Sequence, residues 1–182
     1  VICELQSIVS REIDPLEAAV VSITTLAVGT AFNVIPNSAT ARGTIRALTT
    51  ERFQFIKQRV YEIATSVAQA HRCRAVVDWN DIDYPATVND GHCWNLVQQI
   101  GGEMLGADRV RQLNPVMGGE DFAFYTEARV PGCFVGLGIR NEAIGATRFV
   151  HHCQFKVDED ALPIGTALHV AFALRSLHEL TR

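Results

Sequence analysis

Residues 20–48 read VVSITTLAVGTAFNVIPNSATARGTIRAL, and this stretch decides the fold. Val20 to Leu26 is rich in β-branched residues, which suit a pleated, half-buried surface and predict a strand. Gly29 and Pro36-Asn37 bound an irregular passage around Asn33, and Ser38 to Leu48 reads as a second strand. Upstream, Val1, Leu5, Ile8 and Val9 have helical spacing, so a helix ends near Arg11 before a turn at Asp14-Pro15. Downstream, Phe53, Ile56, Val60, Ile63 and Val67 recur every three or four residues, which predicts a helix from about Thr50 to His71. Glu51 in its first turn suits the helix dipole. The next strand is expected from about Arg74 to Asp81, with Ala75, Val77 and Trp79 on one face. The order is helix, strand, strand, helix, strand. One strand ahead of Val1 completes a βαββαβ unit, a small ferredoxin-like sandwich.

Tyr84-Pro85 marks a boundary, so residues 1–84 and 85–182 are expected to form two parts. Residues 89–105 predict a helix opened by Asn89-Asp90, with Trp94, Val97, Ile100 and Leu105 on its apolar side. A loop follows, Asn114-Pro115-Val116-Met117-Gly118-Gly119-Glu120-Asp121-Phe122, then a short helix and a strand from about Gly132 to Leu137. The last helix runs from about Leu162 to Leu180, burying Ala167, Ala171, Leu174 and Leu177. Asp158, Glu159 and Asp160 precede it and Pro163 lies in its first turn, all helix-start signals. Helices alternate with strands in this half, but the elements are too few to close an α/β core alone. It reads as part of a larger sheet domain whose remainder lies upstream.

Composition narrows the classes. With 48% hydrophobic and 20% charged residues, the 182-residue chain is an ordinary globular sequence able to bury a core. The net charge is −4 and the basic residues are scattered, which argues against a nucleic-acid partner and an acidic membrane surface. No apolar stretch approaches the ~20 residues of a membrane span. Cys3, Cys73, Cys93, Cys133 and Cys153 are dispersed, odd in number and without a C-x-x-C pair. That argues against a disulfide scaffold and against a structural zinc knuckle, and predicts mostly small buried hydrophobes in a reducing compartment.

Three clusters could carry chemistry. In Phe149-Val150-His151-His152-Cys153-Gln154-Phe155, an imidazole could serve a divalent metal. Neighbouring histidines in an extended segment point to opposite faces, so at most one reaches a given ion. Taken alone, a satisfied or solvent-facing histidine is the commoner outcome. Gly118 and Gly119 let the backbone approach a ligand closely; a plain loop-to-helix junction with acidic capping by Glu120 and Asp121 explains them as well. Arg46, following Asn33, could grip a carboxylate with its guanidinium fork, or simply be a solvated strand arginine.

Together the clusters are more specific. SREIDPLEAAVVS (10–22), GTAFNVIPNSATARGTIR (29–46), PVMGGEDFAFY (115–125) and FVHHCQFKVDEDALPIGTALH (149–169) stand in this order. In them the chain resembles the zinc-type peptidase and amidohydrolase family of hippurate hydrolase, N-acyl-amino-acid amidohydrolases and the plant hydrolases of indole-acetyl amino acids. The resemblance covers essentially the whole chain. It implies an α/β metallohydrolase with an α+β, ferredoxin-like lid. Residues 1–84 would be most of the lid or dimerisation domain, and 85–182 the end of a catalytic domain that holds two divalent metal ions, Zn or Mn. His151 matches the family's last metal-binding histidine. Asn33 and Arg46 match the lid residues that face the substrate's carboxylate end, and Gly118 and Gly119 match a loop beside the substrate. The family commonly has a small residue and then Pro after that histidine; this chain has His152 and Cys153.

The implied activity is metal-assisted hydrolysis of the amide bond of an N-acyl amino acid. The general-base glutamate, the other ligands and an oxyanion-stabilising lid histidine would lie before Val1, so no catalytic residue is expected in this segment, and alone it should be inactive. Two alternatives stand beside this: a non-catalytic binding or oligomerisation module on the same fold, and an aminopeptidase or dipeptidase of the same group. A homodimer through the lid is expected by analogy. Localisation is open between cytoplasm, which is favoured, and ER lumen; His178-Glu179-Leu180 is not an ER tail, because Thr181-Arg182 follow it.

Overall fold

The computed structural model describes residues 1–181. Its elements are α1 (Ile2–Leu5), a π-helical turn (Ile8–Glu12), β1 (Ala19–Val28), β2 (Ala39–Ala47), α2 (Thr50–Ala70), α3 (Gly91–Leu105), α4 (Ala123–Glu127) and α5 (Leu162–Leu180), with 3-10 turns at 107–109 and 159–161. The chain divides into two compact units, residues 1–86 with 114–123, and residues 87–113 with the chain from Phe124 on. No helix of the described residues is long and apolar enough to cross a membrane.

In the first unit β1 and β2 form an antiparallel pair, from Ala19 opposite Ala47 to Val28 opposite Ala39. Thr24 has no partner of its own, because Ile23 faces Gly43 and Thr25 faces Arg42. This is a β-bulge, and it needs Gly43: a Cβ there would lie 2.0 Å from the Ser22 carbonyl oxygen. Only the Ala19–Ile23 end of the ladder packs. Val21 joins Leu5, Ile8, Ile13 and the fully buried Ile56 in the core, with Val60, Ile63 and Ile45 against it. Beyond the bulge the hairpin stands in solvent, and residues 29–38 are exposed throughout. Arg59 ties α2 back to the N-terminal turn, donating to Glu12 at 2.5 and 3.1 Å and pairing with Glu62 one turn on. Thr49 caps the helix, accepting from the Arg52 N–H.

Helix α2 thus matches the sequence reading almost to the residue. The strand expected at Arg74–Asp81 does not form. Its alternation survives in part, with Ala75 and Val77 half-buried between exposed neighbours. But a strand needs a ladder partner for its N–H and C=O groups, and among the described residues none presents one. Side chains hold the segment instead: the Lys57 ammonium lies 5.0 Å from the Trp79 ring centre and 2.6 Å from Asp83. The described sheet therefore has two strands, and the full ferredoxin-like sandwich is not seen.

In the second unit α3 buries Cys93, Leu96, Val97 and Ile100, while Leu105, expected inside, is 45% exposed. Asp90 caps it, accepting from the Cys93 N–H at 2.9 Å, and this bond holds the Asp90 carboxyl below its usual range. No strand forms at Gly132–Leu137 either. That segment is stapled by a side chain: Asn89 Nδ2 donates to the Phe134 carbonyl at 3.1 Å, and the Phe134 N–H donates to Asn89 Oδ1 at 2.8 Å. An asparagine amide has one donor and one acceptor in the geometry a ladder offers, so the segment is satisfied without a neighbouring strand.

Helix α5 has the predicted bounds but not the predicted burial. Ala167, Leu174 and Leu177 are exposed, Ala171 is half-buried, and no residue of the helix is fully buried. Its half-buried set is Ile164, Gly165, Leu168, Ala171, Phe172, Arg175 and Ser176, and Arg175 forms a two-toothed pair with Glu103 of α3. The helix is apolar on two faces, and only one is filled among the described residues. Of the cysteines Cys93 alone is buried and Cys133 is half-buried; Cys3, Cys73 and Cys153 are exposed, which corrects the expectation that most lie inside. Burial pushes the Cys93 and Cys133 thiols up, so both are poor nucleophiles.

Two outcomes follow. Ile56→Ala opens a cavity at a side chain with no exposure and should cost about 3 kcal/mol in denaturant unfolding. Asp90→Ala should destabilise the protein at neutral pH. Because the folded-state pKa of Asp90 is depressed, its contribution is complete above the ordinary carboxylate range and is lost as pH falls through the depressed value. The gap between wild type and Asp90→Ala should therefore narrow on acidification; a gap constant down to strongly acid pH refutes this role.

Candidate functional site

The expected metal ligand, His151, sits in a tight turn. The His152 N–H donates to the Phe149 carbonyl at 3.2 Å, and His151 occupies the third position of that turn with φ +68°. Left-handed φ at this position is usually left to Gly or Asn. A β-carbon there is strained, and such strain concentrates where a side chain must be aimed. The base of the loop is pinned: the Asp158 N–H donates to the Ile139 carbonyl at 3.3 Å, and Asn141 Nδ2 donates to Asp158 Oδ2 at 2.9 Å. Asp158 also accepts from the Asp160 N–H, starting the 3-10 turn that leads into α5. His151 thus projects from a clamped loop, exposed, with no hydrogen bond to its ring among the described residues.

The adjacent imidazole is occupied. His152 Nδ1 accepts from the Gln154 N–H at 3.0 Å, closing the ring onto its own turn. Accepting at Nδ1 places the proton on Nε2, and a protonated ring nitrogen cannot ligate a metal. Of the two histidines, His151 is the one with both nitrogens available. Cys153 is exposed and unpaired. Among the described residues no three His, Cys, Asp or Glu side chains gather to hold an ion. The donor set therefore fits a divalent metal as one neutral ligand of several, not as a complete site.

The remaining candidates all belong to the first unit. Arg46 Nη1 donates to the Met117 carbonyl at 2.5 Å, joining β2 to the glycine loop across 71 residues of chain. Nothing lies within 4 Å of where a Gly118 Cβ would be, so that position faces open space. Gly119 lies against Tyr84, whose ring would stand 3.5 Å from an added Cβ. Glu120 turns inward to start α4: its carbonyl accepts from the Ala123 N–H, and its carboxylate accepts from the Phe122 N–H. Asn33 stands apart. It lies in the exposed 29–38 loop beyond the Val28–Ala39 end of the ladder, whereas Arg46 faces Val20 near the other end. Seven residues at ~3.3 Å each put ~23 Å of strand between the loop's end and Arg46. The structure thus unites Arg46 with the glycine loop and separates both from Asn33. The Arg46–Met117 bond and the Tyr84 contact left no mark in the sequence, since neither follows from local spacing.

Residues 5–175 match the peptidase family M20/M25/M40. Among curated relatives, an IAA-amino acid hydrolase of Arabidopsis thaliana (ILR1-like 4) is 40% identical over 99% of this chain and 41% of its own length. An N-acetylcysteine deacetylase of Bacillus subtilis is 35% identical over 96% of this chain and 43% of its own. The crystal structure of the Bacillus subtilis YXEP protein, described as a dinuclear metal-binding peptidase of the M20 family, superposes with a TM-score of 0.78. It is 30% identical and is matched over 97% of this chain and 44% of its own. The chain spans about two fifths of the length of the relatives it matches.

His151→Gly isolates the strain in the turn. Relief of a left-handed β-carbon, about 1 kcal/mol, exceeds the extra freedom Gly gains on unfolding, so the metal-free protein should be stabilised by roughly 0.5 kcal/mol. A lower melting temperature for His151→Gly would contradict the strained-turn account.

Proposed function

The chain belongs to peptidase family M20/M25/M40, and from that membership we propose that the protein containing it hydrolyses the amide bond of N-acyl amino acids, with indole-acetyl and small acyl groups as the first candidates. In this reading residues 1–84 are the lid, residues 85–182 are the end of the catalytic domain, and His151 is one ligand of a divalent pair, Zn or Mn. That pair supplies a nucleophilic water at neutral pH and an electrophile for the amide carbonyl.

The observation that supports the reading most is the state of the two histidines. His151 is aimed outward from a strained, clamped turn, while the ring beside it is tied to its own backbone. Arg72 and Arg129 share a left-handed φ with His151, so what favours His151 is its unoccupied ring on a clamped loop beside an occupied one. The chain's other contribution is recognition. Arg46 has no acidic partner among the described residues and keeps most of its five donors free, so it can bind the carboxylate of an acyl amino acid. Asn33 lies too far along the hairpin to share a small substrate with Arg46 in this conformation and stays a candidate donor only, while Gly118, with open space beside it, lets backbone approach the scissile region closely. Gly119, the candidate beside it, lies against Tyr84. The substrate is a small molecule, the protein a homodimer through the lid, and the compartment the cytoplasm.

The full-length protein, supplied with Mn²⁺ or Zn²⁺, should hydrolyse N-benzoylglycine or indole-acetyl amino acids. Activity should vanish on chelation and return with metal. His151→Ala should lower kcat/KM by about 100-fold or more and reduce bound metal, since even outer-sphere changes cost 10–100-fold. Undiminished turnover and metal content in His151→Ala would remove His151 from the site.

A further inference from the structure

The loop Asn114–Gly119 has no hydrogen bond among the described residues except the one Arg46 gives to the Met117 carbonyl. Two of its six residues are glycines, the least restrained of backbones. Met117 is half-buried, and Gly118 and Gly119 on its far side are exposed. With one hydrogen bond, and beside it only the packing of Gly119 against Tyr84, a segment of this composition owes much of its order to the bond. The tether is itself well placed to be firm. It projects from β2 opposite Val20, at the end of the ladder that packs on Ile56, not the end that stands in solvent.

We infer that Arg46 is a positioning residue for the glycine loop, holding Gly118 and Gly119 in register through the Met117 carbonyl. Nη1 serves the loop, and Nε and Nη2 keep their hydrogens for a ligand. A carboxylate that binds this free edge and the order of the loop are then coupled through one side chain. This goes beyond a carboxylate grip alone, because the loop-holding half of the role persists when the substrate has no carboxylate. Its effect on turnover rests on the hydrolase reading; the tether itself does not.

The test uses the full-length protein as wild type, Arg46→Met and Arg46→Lys. Backbone NMR order parameters are measured at the Met117–Glu120 amides, with the α2 amides as an internal reference. Kinetics are measured on an acyl amino acid and on the matching acyl amino acid carboxamide. Arg46→Met should lower the loop order parameters to below about 0.6 while α2 is unchanged, and Arg46→Lys should recover part of the order. On the carboxamide, Arg46→Met should lower kcat by about tenfold with little change in KM, because misplacing a positioned group acts on the reacting geometry. Unchanged loop order overturns the inference, and so does an unchanged kcat on the carboxamide, which leaves Arg46 a carboxylate grip only. If wild type hydrolyses neither compound with metal present, the hydrolase reading fails, and the order-parameter result alone decides whether Arg46 holds the loop.

Discussion

The position of Arg46 follows from the packing of Ile56. That side chain is fully buried against Leu5, Ile8, Ile13 and Val21, and this contact seats one end of the hairpin on α2. The bulge at Thr24, made possible by Gly43, then sets which β1 residue faces each β2 residue on either side of it. A one-residue slip would send Arg46 to the opposite face. The bond to Met117 therefore depends on hydrophobic burial and on a glycine in a strand, neither of which touches the loop it positions.

A different constraint governs the metal-ligand candidate. At His151 the local backbone opposes the residue, since the third position of the turn favours glycine. The surrounding loop compensates at its base, where Asp158 is used three ways: its N–H to Ile139, one carboxylate oxygen to Asn141, and the other to the start of the turn into α5. Strain at one residue is tolerable when its neighbours are over-determined in this way. The departure from the family at His152 and Cys153 has a physical sequel as well. Without proline after the small residue, the His152 ring supplies the stop, accepting the Gln154 N–H and closing the turn.

Helices were the legible part of the chain. α2, α3 and α5 could be bounded within a residue or two, because helical periodicity and caps such as Thr49 and Asp90 are local signals. The strands at 74–81 and 132–137 were misread because strand formation is not local. Alternation shows which side chains turn inward, but pairing requires a partner, and Lys57 and Asn89 stand in for one. The exposed face of α5 was misjudged for a similar reason: Leu174 and Leu177 are spaced for burial, and spacing says nothing about whether a surface is there to receive them. Among candidate site residues, the resemblance singled out His151 and the two glycines as types in a pattern. The left-handed φ of His151 and the occupied ring of His152 are properties of a folded turn and could not be read beforehand.

The separation of Asn33 from Arg46 bears on how the hairpin could be used. A carboxylate accepts hydrogen bonds at about 3 Å, and its two oxygens lie close together, so one anion spans only a few ångströms. The ladder puts ~23 Å of strand between Arg46 and the end of the loop that carries Asn33. In this conformation the two side chains cannot hold one carboxylate of the same small molecule. Phe32 and Ile35 on that loop are almost wholly exposed, so the loop gains nothing from its own unit by lying where it does. The residues that make Asn33 a candidate are also those with the least to fix them, whereas Arg46 is fixed by core packing at one end and by the Met117 carbonyl at the other. The hairpin therefore carries a rigid candidate donor at its packed end and an unanchored one at its tip, and only the rigid one is organised before any ligand arrives.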